Sequence, residues 1–316
     1  MILKTSRMRT CAGLILLSIV ACAPPYERVR AAESRPSEGV VHRVGTFEGS
    51  GGLDLFYQAW LPRSDVRAVV VIVHGLKDHS SRYDSFARSL ARRGYAVHAF
   101  DLRGHGRSAG RRVSVDSFDD YVEDLDKFLL RIIDEYEQFP LFLFGHSMGG
   151  AVAASFAATR QHALKGLILS GPALALDIWP ITIAASRVTG IVLGNLPALK
   201  LPNENFSKDP NTVAAIGSDP LVYQPAGPAR TAAELAVGIE TIWKHLDRLT
   251  MPLLLLHGEN DKLTLPAGSR ELSQRAPATD KTLTIYPGAW HDLLHDPDHE
   301  RVEADITAWL ERRIGK

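Results

Sequence analysis

Residues 140–154, PLFLFGHSMGGAVAA, run an apolar stretch into a glycine, a polar pair and two more glycines before small residues resume. The apolar run reads as a buried strand and the small-residue segment as a helix, which places His146 and Ser147 on a tight turn between them. Two roles compete for Ser147. It can cap the helix, its hydroxyl accepting from the first free N–H groups. Alternatively, as the centre of Gly145-His146-Ser147-Met148-Gly149, it satisfies G-x-S-x-G, a pattern that holds a nucleophile on a strand-to-helix elbow. A cap needs no flanking glycines, whereas an abrupt, strained turn tolerates no bulky neighbours. The stretch therefore predicts a serine lifted clear of a sheet edge.

Outward from this turn the chain alternates strand and helix. LFYQAW (55–60), AVVVIV (68–73), AVHAF (96–100), LFLF (141–144), GLILS (166–170), PLLLLH (252–257) and TLTIY (282–286) are short apolar or alternating runs bounded by glycine, proline or charge. Helical candidates lie at 82–94, 118–137, after Ser147, 267–276 and 300–314. In the second, Tyr121, Leu125, Phe128, Leu129 and Ile132 recur at helical spacing opposite carboxylates, as on a helix packed against a sheet. This order predicts an α/β fold with a mainly parallel sheet flanked by helices over residues 44–316. Between about 172 and 248 no strand is evident and prolines and glycines are frequent, so an inserted helical cap is expected there.

A serine hydroxyl is a poor nucleophile near neutral pH and needs a base within hydrogen-bond reach. Behind an elbow of this kind the partners follow in the order Ser, acid, His, which removes His74, His105 and His146. His291, in YPGAWHDLLHD, follows the last strand on a glycine-containing loop, while His295 and His299 head into the final helix and read as surface residues. Asp261, in LLLLHGENDKLT, lies just past a strand, 114 residues after the serine and 30 before the histidine. Glu259 and Asp101 compete with it; Asp101 precedes the serine, and Glu259 is expected to face outward. The Met148 N–H and the Leu76 N–H, in the loop after AVVVIV, are the expected oxyanion donors. Such chemistry requires neither a metal nor an organic cofactor.

Composition bounds the remainder. The chain has 316 residues, 45% of them hydrophobic, enough for an ample core. Lys plus Arg and Asp plus Glu both number 36, without a long run of one sign, so the basic footprint of a nucleic-acid binder is missing. Cys11 and Cys22 both lie near the N-terminus, which leaves disulfides and cysteine-metal sites out of the main domain. Lys4, Arg7 and Arg9 followed by CAGLILLSIVA have the grammar of an export signal over residues 1–21. Ile19-Val20-Ala21-Cys22 resembles a bacterial lipobox, in which Cys22 would be acylated and anchor the exported chain to a membrane. Cleavage at Ala21-Cys22-Ala23 is the rival reading, but it would leave Pro24 after the cut. The polar residues 22–43 read as a flexible tether.

HGLKDHSSRY, DLRGHGRSAG, GHSMGG, SDPLVY, LLLLHGENDKLT and YPGAWHDLLHD together resemble the successive blocks of the monoacylglycerol lipase and lysophospholipase branch of the α/β-hydrolases, from about Val44 to Ile314. The resemblance implies a Ser147-Asp261-His291 triad, an oxyanion hole at Leu76 and Met148, and a cap bearing an acyl channel. Monoacylglycerols, lysophospholipids and simple esters are the expected substrates, in that order. A serine aminopeptidase of the same fold is an alternative; it would want convergent carboxylates such as Glu204, Asp209 and Glu234 to grip an amine. A non-catalytic lipoprotein that binds a ligand in a retained pocket is another.

Overall fold

In the computed structural model residues 39–160, 164–175, 194 and 196–315 are described. The run AVVVIV becomes strand β3 (Ala68–Val73), buried throughout. Its alternation explains the absence of polar residues: Val69, Val71 and Val73 pack into one core layer, and Val70 and Ile72 into the layer on the opposite face. The other strands of the sheet are β1 (Val40–Glu48), β2 (Asp54–Pro62), β4 (Tyr95–Phe100), β5 (Leu141–His146), β6 (Gly166–Ser170), β9 (Leu253–Gly258) and β10 (Lys281–Tyr286). They assemble in the order β1-β2-β4-β3-β5-β6-β9-β10. β1 and β2 pair antiparallel, as do β2 and β4; every other neighbouring pair is parallel.

Helices cover both faces. α1 (Asp84–Ala91) and α7 (His299–Ile314) supply Phe86, Leu90, Ile306 and Trp309 to one layer, and α2 (Phe118–Glu135) and α3 (Met148–Thr159) supply Tyr121, Phe128, Val152 and Phe156 to the other. The five residues that marked the amphipathic face of α2 are all buried, and Ser117 with Asp120 closes a capping box at its start. α4 (Pro210–Ser218), α5 (Ala229–Lys244) and α6 (Pro266–Arg275) complete the helices described.

Two boundaries differ from expectation. β1 begins at Val40, inside the stretch read as a tether, and its register runs from Val40↔Pro62 to Glu48↔Asp54. It is an edge strand with a half-exposed face, so His42, Arg43 and Thr46 interrupt the apolar signal. Within the cap region, Pro197–Leu199 and Gly227–Pro228 form a small two-stranded antiparallel sheet, β7 and β8, where no strand was expected. These segments are too short and proline-rich to carry a periodic signature. Residues 1–38, with the export signal and Cys22, and residues 176–193 of the cap lie outside the described residues. Among the described residues no helix is long and apolar enough to cross a membrane.

Candidate active site

Ser147 directly follows β5 and occupies the N-cap position of α3, yet its side chain makes no capping hydrogen bond. Its backbone sits at φ 56°, ψ −123°, a sparsely populated conformation for a non-glycine residue. The neighbouring glycines permit this turn. A Cβ on Gly149 would lie 2.3 Å from the carbonyl oxygens of Val73 and His74, and one on Gly145 would lie 2.5 Å from the Gly149 carbonyl. The capping role is thereby set aside: the hydroxyl points elsewhere.

It points to His291. Ser147 Oγ and His291 Nε2 are 2.8 Å apart, and His291 Nδ1 lies 2.7 Å from Asp261 Oδ2. Asp261, as an acceptor, fixes the proton on Nδ1, which leaves Nε2 free to accept from the serine hydroxyl. Asp261 is also held by the Leu263 and Thr264 amides at 2.8 and 3.0 Å, and His257 Nε2 stands 3.2 Å from the same carboxyl oxygen that faces His291. Glu259 is exposed, with its carboxylate on the Gly288 N–H, and Asp101 is spent on Ser80 and Arg107, so neither competitor reaches the histidine.

Burial by itself would lower the His291 pKa, but the charge of Asp261 and its hydrogen bond, with Asp292 and Asp78 beyond, outweigh it and raise the value above 6.5. Burial would conversely raise the Asp261 carboxyl; the histidine charge and the bonds from His257 and His291 hold it well below the ordinary carboxylate range.

The loop after β3 closes over the elbow. A Cβ on Gly75 would sit 2.9 Å from Ser147 Cβ, so this loop has no room for a side chain there and carries Leu76 directly past the serine. Among the described residues, neither the Leu76 nor the Met148 amide enters a turn, loop or cap hydrogen bond. Lys77 follows at φ 69°; its carbonyl accepts from the Tyr223 N–H at 3.1 Å and its ammonium donates to the Leu201 carbonyl at 3.0 Å, tying the loop to the cap region. Phe206, from the same region, presents its ring edge-on to His291 at 5.7 Å.

Sequence reasoning brought Ser147, Asp261 and His291 forward but passed over Lys77, Arg82, Phe206, His257 and Asp292. Four of these five stand inside the motif blocks; they escaped notice because nothing local distinguishes a lysine or arginine on a loop from a solvated one. His295 corrects the expectation of a surface residue: it is only partly exposed, with Nδ1 2.7 Å from Asp292 and Nε2 2.9 Å from the Arg82 carbonyl. Among the described residues no group of three or more His, Cys, Asp or Glu side chains is arranged to hold a metal ion.

An elbow serine bonded to a histidine at the carboxyl ends of parallel strands defines a serine hydrolase of the α/β-hydrolase fold. The family model described as "Serine aminopeptidase, S33" matches residues 64–298. The chain is 36% identical over 270 residues to the monoacylglycerol lipase of Mycolicibacterium smegmatis, covering 84% of this chain and 95% of that one. It is 32% identical to the human monoglyceride lipase over 290 residues, 90% of this chain and 94% of the relative. Among solved structures, the Paleococcus ferrophilus monoacylglycerol lipase superposes with a TM-score of 0.72 at 33% identity, covering 81% of this chain and 98% of that one. A soluble variant of the Saccharomyces cerevisiae monoglyceride lipase, 24% identical, shares the fold with a TM-score of 0.77 over 92% of this chain and 97% of that one. The chain belongs to the monoacylglycerol lipase-like family of α/β-hydrolases and is a serine ester hydrolase.

Proposed function

We propose that this enzyme hydrolyses monoacylglycerols through Ser147, His291 and Asp261. The observation that carries the reading is the continuous chain Asp261–His291–Ser147, bonded at 2.7 and 2.8 Å. His291 takes the hydroxyl proton as Oγ attacks the ester carbonyl carbon. The Leu76 and Met148 N–H groups stabilise the oxyanion of the tetrahedral intermediate, one such donor being worth about 3 kcal/mol in related sites. The intermediate collapses to an acyl-enzyme as His291 returns the proton to the departing glycerol oxygen. Water then repeats the cycle and frees the fatty acid.

The names of the relatives support a monoacylglycerol over a lysophospholipid or a simple ester. The aminopeptidase alternative draws on the family description, but its amine-gripping carboxylates do not converge. Glu234 is on the Phe118 N–H and Asp209 on the Asn211 N–H, both backbone groups, and Glu204 is exposed. For Cys22 we propose acylation after export, on the strength of the residue pattern at 19–22 alone; an acyl anchor would keep the enzyme beside its lipid substrate. Metabolic labelling with an alkynyl fatty acid, compared with Cys22→Ala, tests it.

The central test is labelling by a fluorophosphonate beside hydrolysis of a monoacylglycerol and of an aminoacyl amide. The expected outcome is labelling lost in Ser147→Ala, with the ester cleaved and the amide spared. Preferential cleavage of the amide would transfer the reading to the peptidase alternative, and an inert wild-type protein would favour the non-catalytic one.

A further inference from the structure

Beside the triad, and not part of it, Arg82, Asp78 and Asp292 are largely buried together, with the partly exposed His295 against them. Arg82 lies on the short turn Ser80–Tyr83 that follows the oxyanion loop. Its Nη1 donates to Asp78 Oδ1 at 3.2 Å and its Nη2 to Asp292 Oδ2 at 2.6 Å. The three side chains are 13%, 6% and 4% exposed, so these are interior pairs rather than surface ones. Asp78 stands two residues beyond Leu76, and Asp292 directly follows His291. One guanidinium thus bridges the loop that carries the expected oxyanion donor and the loop that carries the base.

Both anchors are themselves fixed. Asp78 also accepts from the His79 N–H at 2.8 Å and from the Tyr83 hydroxyl at 3.2 Å. Asp292 donates its own N–H to the Phe206 carbonyl at 2.8 Å and pairs with His295 Nδ1. His295 Nε2 returns to the Arg82 carbonyl, closing a ring of Arg82 side chain, Asp292, His295 and Arg82 backbone. A carboxylate and a carbonyl can only accept, so both contacts are hydrogen bonds when both nitrogens of His295 carry hydrogens; burial lowers the ring's pKa, but the charge and hydrogen bond of Asp292 outweigh it and raise the value, favouring that protonated form. With His295 protonated, the cluster holds two positive and two negative charges. Packed apolar residues would cost less desolvation than this largely interior charge cluster; what an ionic fork adds is a fixed direction and distance between the groups it joins.

We propose that Arg82 is a positioning residue for the ester hydrolysis, holding the oxyanion loop through Asp78 and the base loop through Asp292 so that His291 and the Leu76 amide meet the same substrate carbonyl. This rests on the triad reading above. Misplacing a reacting group by about 1 Å can cost on the order of 100-fold in rate. The bridge also sets the charge around the base. Among the described residues, the charges that act most strongly on His291 are Asp261, Asp292 on its own loop and Asp78 from the β3 loop, with the His146 ring 4.8 Å away; His257 contacts Asp261, and Arg82 and His295 contact Asp292. Removing the guanidinium leaves two carboxylates against one imidazolium and favours the protonated base; removing the Asp292 charge does the reverse.

The experiment measures kcat, KM and the pH profile of kcat/KM on a monoacylglycerol for Arg82→Met, Arg82→Lys and Asp292→Asn, with the rate of fluorophosphonate labelling. Arg82→Met is expected to lower kcat and the labelling rate by about 10- to 100-fold with KM within about threefold, and to move the acid limb upward. Asp292→Asn is expected to move the limb downward. Arg82→Lys keeps the charge but not the fork, so its limb should coincide with wild type while kcat stays depressed. Limbs that stay in place in both charge-removing variants, or that move in the same direction, would overturn the proposal and leave a merely structural role. If Arg82→Met does not fold, a wild-type kcat in Arg82→Lys still overturns it. A wild-type enzyme that hydrolyses ester while Ser147→Ala does so equally well would bring down the triad reading, and this proposal with it. Normal labelling of wild type and Arg82→Met at one rate would bring down the proposal alone.

Discussion

His146 directly precedes the elbow serine and His291 bonds to it from a distant loop, their rings 4.8 Å apart and both buried, yet their pKa values are displaced in opposite directions. Burial lowers both. His146 has a repelling neighbour in His291 and, among the described residues, the Ser170 carbonyl as its one hydrogen-bond partner, and falls to about 4. His291 has the Asp261 carboxylate at 2.7 Å and rises above the ordinary histidine value. Residue type and burial do not distinguish a base from a neutral packing group; the charge partner does.

The strongest challenge to this contrast removes the proposed base. His291→Asn should lower kcat/KM on a monoacylglycerol by about 10,000-fold or more, as expected for a residue that acts as a unit with its nucleophile. A loss under about tenfold would break the comparison. Asp261→Asn should follow at roughly 1,000- to 10,000-fold, because an amide can fix the wrong tautomer and no longer supports the imidazolium; steady-state rates beside a fold check by circular dichroism would show it.

The acid limb sharpens the comparison. The base must be neutral to accept the serine proton, and a raised pKa keeps it protonated, hence inactive, to higher pH. The kcat/KM profile of the wild-type enzyme should therefore fall with decreasing pH at a midpoint above about 6.5, and a midpoint at or below that value would contradict the raised pKa. The smallest effect belongs to His146→Asn. A group already neutral across the assay range has no charge to lose, so the midpoint should stay within about 0.3 pH unit of wild type.

The elbow and the sheet were legible because their signals are local. AVVVIV carries its own burial pattern, and the glycines around Ser147 announce a close approach before the approaching carbonyls are known. Asp261 and His291 were legible for a different reason: chain order and strand ends narrow a dozen histidines to one loop. β1 escaped because a half-exposed edge strand dilutes its apolar alternation with His42, Arg43 and Thr46. His295 was misread because its partner Arg82 lies 213 residues away in sequence, a separation that no local window senses. Phe206 and Lys77 escaped in the same way, each defined by a contact between the cap region and the core.

By itself the sequence determined the layered α/β architecture and the elbow, and it put forward Ser147, Asp261 and His291 as candidates to meet there. Backbone propensity, hydrophobic period and glycine placement act over a few residues and are written along the chain. The tertiary structure alone decided that His291 lies between Asp261 and Ser147, that the loop with Leu76 passes against the serine, and that Arg82 joins Asp78 to Asp292. Those are distances between segments brought together only when the sheet closes, and Coulomb and hydrogen-bond energies depend on distance in space rather than in sequence.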